Sequence, residues 1–319
     1  MNKTIFSIMV SLMFLLGACQ ESVSGDEIQE SNGKSMIIES SDKVPNDIVA
    51  RLQAYNDSLY SSAATSSSIN GTSSFRDKLK KWLDISVADF IGRCEGTCYG
   101  LTIGGIAGPE GMAIGAAVLG PLVGACRSYQ AANSYASIPV KITFNNSIPA
   151  YIKMKEDITD YSPYYPDKID LQLPPDKLDL LIEGAQHNLL LDNITKNTFS
   201  STTAEEAYAK GILSEEEYLV LSDSRTPAIL FRLVYSNTSD DSYDFGETSN
   251  AIIKLYKEAI QELSNDYIDV ESISNRYVSE IYSSSELEET QKDNIVSSIG
   301  VMASSVEYWK VFDAEHDIE

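Results

Sequence analysis

Apolar residues along this chain change their spacing several times, and each change predicts a new element. Ile48, Leu52, Tyr55 and Leu59 recur at helical spacing and predict a short helix near 45–60. Phe75, Leu79, Trp82, Leu83, Val87, Phe90 and Ile91 fall on one face of a second helix. Ile138 to Phe144 alternates apolar and polar side chains, the pattern of a short strand near 138–144. Pro163, Pro166, Pro174 and Pro175 remove amide donors and predict an extended connector. From 176 the period is helical again: Leu178, Leu180, Leu181, Leu189, Leu190 and Leu191, then Ile252, Leu255, Tyr256 and Ile260, then 270–282 and 286–312. Thr203 with Glu206, Ser214 with Glu217 and Ser285 with Glu288 have capping-box spacing. Thr226-Pro227 reads as an N-cap followed by proline at N1. Residues 20–44 and 61–74 are small and polar and read as flexible.

Glycine breaks into this pattern between 92 and 124. Gly92, Gly96, Gly100, Gly104 and Gly108 recur every four residues; Gly111, Gly115, Gly120 and Gly124 follow the turn signal at Pro109-Glu110. Each mid-helix glycine costs roughly 1 kcal/mol against alanine, so propensity alone opposes a helix. A period of four nevertheless lines glycines along one face, where a second backbone can approach closely. Two antiparallel arms are predicted, about 85–106 and 112–131, packed through Gly92, Gly96, Gly100, Gly104, Gly108, Gly115 and Gly124. Pro121 is expected to interrupt the second arm.

This hairpin resembles the glycine-zipper hairpins of membrane-associated bacterial proteins and some bacteriocins. Its uncharged stretches, 96–109 and 111–126, would span roughly 21–24 Å, short of the ~30 Å hydrocarbon core. Two readings stay open: a hairpin packed inside a soluble fold, and direct bilayer contact by residues 75–131. Arg76, Lys78, Lys80 and Lys81 suit lipid headgroups or the chain's own carboxylates equally.

At the N-terminus, Met1-Asn2-Lys3 precedes an apolar run from Ile5 to Leu16, the form of a secretory signal too short to span a bilayer. It ends in Leu16-Gly17-Ala18-Cys19, which resembles the lipobox of bacterial lipoproteins. The resemblance implies removal of residues 1–18 and acylation of Cys19. It also implies an outer-membrane lipid anchor in the bacterial envelope, facing the periplasm or the surface. The formal charge of −23, from 47 acidic and 24 basic residues, leaves no basic surface for nucleic acid. The expected partners are the membrane, through lipidated Cys19, and a protein.

Candidate chemistry is sparse. Gly184-Ala185-Gln186-His187-Asn188 is similar to a Gly-x-x-His-Asn pattern in uncharacterised secreted proteins that also carry an upstream glycine-rich segment. His187 is a candidate general base with Asn188 as its orienting amide, although no serine or cysteine sits in a strained turn as its nucleophile. Cys94, Cys98 and Cys126 lack a convincing fourth metal ligand. An oxidising envelope favours one disulfide instead. With the turn centred near Pro109, Cys94 and Cys126 are about two residues, roughly 3 Å, out of register, and they form the expected pair. No metal or cofactor is expected.

The predicted organisation is a signal peptide (1–18), a tether with one short helix (19–74), an amphipathic helix and glycine hairpin (75–135), a strand and Pro/Tyr-rich connector (136–175) and a helical domain (176–319). The fold class is mainly α, with at most a short β segment near 138–144. The expected function is a non-enzymatic binding module of the envelope. The alternative is a membrane-active protein inserting its hairpin, and a hydrolase using His187 is third.

Overall fold

The computed structural model describes residues 47–65, 73–135, 146–157, 164, 169–235, 244–264 and 266–316. The signal peptide, Cys19, most of the tether and the 138–144 strand lie outside the described residues, as does the connector from 165 to 168. Among the described residues every regular element is helical, so the protein is mainly α. Helix α1 is Ile48–Thr65, α2 Ser73–Gly104, α3 Gly108–Tyr135 and α4 Ser147–Asp157. There follow α5 Leu180–Thr195, α6 Ala204–Ala209, α7 Glu215–Ser222 and α8 Arg225–Tyr235. The last three are α9 Glu247–Leu263, α10 Tyr267–Ser283 and α11 Glu289–His316.

The hairpin forms, and it is longer than its glycine stripe. The amphipathic stretch from 75 and the first arm are one continuous helix, α2, because the apolar face runs without a break into the stripe. A 3₁₀ turn at Gly105–Ala107 and Gly108, with φ +84°, reverse the chain into α3. Gly108 is therefore the turn residue rather than a packing glycine: a Cβ there would meet nothing within 4 Å. The other stripe positions are contact points. A Cβ on Gly92 would lie 2.9 Å from the Gly124 Cα, and one on Gly96 would lie 2.9 Å from the Gly120 Cα. Cβ atoms at Gly100, Gly104 and Gly115 would collide with the carbonyl oxygens of Gly115, Gly111 and Gly100. Pro121 does not interrupt α3. The bond it forgoes is to the carbonyl of Ala117, an exposed residue.

One hydrophobic core runs from Ile48 to Phe312, so the hairpin and the C-terminal helices do not have separate cores. Helices α2, α3, α5 and α11 form its centre. The boxes at Thr203/Glu206 and Ser214/Glu217 close as expected. The third does not: α11 begins at Glu289, and Gln291 reaches back to the Glu288 amide at 3.0 Å. Nor does Thr226 cap α8. The Asp223 carboxylate takes the Arg225 amide at 2.8 Å, while the Thr226 hydroxyl turns back to the Val220 carbonyl.

Candidate functional site

The densest chemistry lies where α2, α5 and α11 meet. Asp89 and Arg93 are four residues apart on α2 and share one face. That face lies beside the glycine stripe and looks toward α5 and α11. Asp89 Oδ1 is 2.6 Å from His187 Nε2, and neither side chain is exposed. The Ser305 hydroxyl donates to the other Asp89 oxygen. His187 Nδ1 faces Asn188 Oδ1 at 3.3 Å. Asn188 Nδ2 donates to the Ser304 and Tyr164 carbonyls at 3.0 and 3.1 Å, which holds its amide in that orientation. Both imidazole nitrogens thus face acceptors.

One helical turn along, Arg93 donates from Nε to Glu183 Oε2 at 3.0 Å, and its Nη2 donates to the same carboxylate and to Ser297 Oγ. Ser297 also donates to Glu183 at 2.6 Å. Arg93 Nη1 is buried with no hydrogen-bond partner. It lies against Gly120, where a Cβ would come within 2.7 Å of it, so that glycine makes room for the guanidinium. A third pair joins the two arms of the hairpin. Arg127 grips Glu95 through Nε and Nη2 at 3.0–3.2 Å, its stem crossing α2 over Gly92.

The Gly-x-x-His-Asn pattern now has a packing reason. A Cβ on Gly184 would collide with Ser304 Oγ and lie 3.0 Å from the Gly300 carbonyl. Glycine there lets α5 and α11 approach until His187 and Asn188 reach Asp89 and Ser304. Ser297, Ser298, Ser304 and Ser305 supply the facing hydroxyls from α11, spaced at seven residues so that they share one side.

What can this arrangement do chemically? A serine–histidine–carboxylate triad needs the imidazole between hydroxyl and carboxylate, with the hydroxyl open to substrate. Here the carboxylate sits between them, and all three groups are sealed from solvent. The network ties three helices together. Asp89, Arg93 and Glu183, its other principal members, were missed by sequence reasoning. The available signal was an Asp and an Arg four apart within an otherwise apolar face.

Cys94 and Cys126 do not form the expected disulfide; Cys94, Cys98 and Cys126 are all thiols. The contacts Gly92–Gly124 and Gly96–Gly120 put Cys94 level with Leu122, about 6 Å along the axis from Cys126. Direction differs as well. Each cysteine is two residues from a stripe glycine, about 200° around its helix, and points away from the partner arm. Cys94 faces Ser298 at 3.5 Å, and Cys126 bonds Ser147. Cys98 turns toward the Asp244 carbonyl, so it does not join Cys94 around a metal. Among the described residues no group of three or more His, Cys, Asp and Glu side chains is placed to hold a metal ion.

At its other extreme the hairpin is exposed. Ile106 is 74% accessible, and Ala107, Pro109, Glu110 and Ala113 beside it are exposed. Glu110 is the one charged residue between Glu95 and Arg127. The basic cluster lies at the opposite end of α2, where Lys81 bonds Asp313 at 3.0 Å. No family model, curated protein or solved structure matches this chain.

Proposed function

We propose that the protein is a lipid-anchored envelope protein, tethered through acylated Cys19, that works as a non-enzymatic interaction module. The observation that carries the interaction-module reading is the contrast between a polar centre and an apolar tip. The charged network is enclosed in the core, where it braces helices, while an apolar turn is held out in solvent. Glycine packing brings the two backbones into contact as far as Gly104 and Gly111, so the turn is carried on closely joined arms. An apolar tip held out from a charged body is a docking element. The experiment is acyl labelling of cells producing wild-type or Cys19→Ser protein. Label should disappear in the variant, which should be left unprocessed or soluble. A Ser variant that is processed normally and stays in the membrane at wild-type levels overturns the anchor.

A second reading, insertion of the hairpin across a bilayer, draws on the uncharged stretches either side of Glu110. It predicts dye release from liposomes that depends on residues 75–131, whereas an interaction module releases none.

A further inference from the structure

We infer that the hairpin tip is a lipid-contacting element, with Ile106 at its apex dipping into the bilayer that holds the Cys19 anchor. This deepens the proposed function and rests on it.

Helix α11 runs antiparallel to α2, since Lys81 meets Asp313, Asp89 meets Ser305 and Arg93 meets Ser297. Continued from these contacts, the antiparallel register brings Glu289, the start of α11, level with a residue between Leu101 and Gly105. Helix α5 is also antiparallel, through Asp89–His187 and Arg93–Glu183, which brings its first residue, Leu180, level with Gly96. Helix α9 begins at the same end, next to Asp244, whose carbonyl faces Cys98. At 1.5 Å per residue, Ile106 stands about 2–15 Å beyond the starts of these helices. Among the described residues the tip therefore projects from one end of the body.

The chain enters at that same end. The Ile48 amide donates to Glu286, three residues before α11, at 3.0 Å. Further along α1, Asn56 bonds the Leu255 carbonyl and Tyr60 bonds Glu262. These contacts put α1 parallel to α9, with its first turn beside the beginning of α9 and its far end beside Gln261, which bonds Asp84 at 3.0 Å. A chain anchored at Cys19 thus reaches the body from the side on which Ile106 projects. The 27 residues from 20 to 46 are the whole connection between anchor and body.

Composition selects lipid as the occupant and limits the depth. Ile106, Ala107, Pro109 and Ala113 offer apolar surface without a cation, and a projection of about 2–15 Å spans the ~5–10 Å to which surface-lying apolar elements sink. Glu110 at the apex, and Glu247 and Glu286 at this end of the body, oppose anionic headgroups, while Glu289 is paired with Lys177 and Lys292. The tip is therefore suited to uncharged lipid and to shallow contact rather than passage.

The test places tryptophan at the tip, since Trp82 and Trp309 are both buried in the body. Acylated protein carrying Ile106→Trp, and a control carrying Val311→Trp at the exposed far end, are reconstituted into phosphatidylcholine vesicles containing brominated lipid. The expected result is strong quenching of position 106 and none of position 311. Ile106→Asp in unacylated chain 20–319 should lower its vesicle partition about ten- to hundredfold, the loss of one buried isoleucine. Added phosphatidylglycerol should weaken the binding of the parent chain.

Equal quenching at the two positions, or none at 106 while the acylated protein floats with the vesicles, overturns tip insertion and leaves the anchor standing. Partition of the parent chain that is indifferent to Ile106→Asp also overturns it. Quenching at 106 in a protein that Cys19→Ser leaves fully processed and membrane-bound keeps the tip and removes the anchor. A photo-crosslinker at 106 that captures protein and no lipid in intact cells assigns the tip to a protein partner and ends the lipid proposal.

Discussion

Asp89 on α2 and His187 on α5 lie 2.6 Å apart with no solvent at either side chain, although 98 residues separate them in the chain. This contact, with Ser305 on the far oxygen of Asp89, locks the glycine hairpin to the C-terminal helices.

Removing half of that pair should be costly. His187→Ala leaves a buried carboxylate with a single hydroxyl donor, and loss of one partner from a buried pair costs about 3–5 kcal/mol. His187→Gln, which keeps an amide donor, should cost distinctly less. Urea denaturation followed by circular dichroism ranks the two. Equal and small losses would mean that the pair does not hold the helices together.

The glycine stripe makes a sharper demand than its period suggested. Gly100→Ala would drive a Cβ into the Gly115 carbonyl, so even the smallest side chain should destabilise by about 3 kcal/mol, and leucine by more. Gly105→Ala meets only the Met112 side chain, at 3.7 Å, and should be neutral or stabilising by up to about 1 kcal/mol. Thermal melts of the two alanine variants decide the matter; matching melting temperatures would deny close backbone packing at Gly100.

Thiol reactivity should follow burial. Burial pushes the Cys126 thiol up to about 11, so at pH 8 it stays protonated as well as enclosed. Cys94 is enclosed too, and Cys98 is partly accessible. Maleimide mapping of the native protein at pH 8 should mark Cys98 first, with Cys94 and Cys126 marked only after denaturant is added. Recovery of a Cys94–Cys126 bridged peptide under non-reducing conditions would contradict the observed register.

Two caps should matter where a third does not. Thr203→Ala and Ser214→Ala each remove a hydroxyl that accepts the amide three residues on, a loss of about 1 kcal/mol apiece. Ser285→Ala should leave stability nearly unchanged, since α11 starts after Glu288. The three variants can be compared by chemical denaturation in a single buffer.

Much of the local structure could be read from residue order, and the limits of that reading are physical. Helix positions were legible because apolar side chains repeat at the helical period in α1, α9, α10 and α11. The third capping box and the Thr226 cap failed because a favourable motif competes with its neighbours: Gln291 and Asp223 supplied better-placed acceptors. The turn fell slightly earlier than Pro109 suggested, because the 3₁₀ segment and the positive φ at Gly108 complete the reversal first. That shift of about one residue in the turn carried Cys94 from two to four residues out of level with Cys126, and both side chains point away from the partner arm.

Residue order alone established a mainly helical chain with a glycine-packed hairpin, since helical period, glycine spacing and turn residues act over a few positions. Only tertiary packing decided which polar groups meet. Asp89 and Arg93 could have faced solvent on an isolated α2; burial against α5 and α11 obliges each to find a partner, and those partners lie 90 to 216 residues away. Tertiary packing likewise decided that the hairpin tip and the entry of α1 share one end of the body, because the direction of a helix is set by the elements it packs against and leaves no mark in its own periodicity.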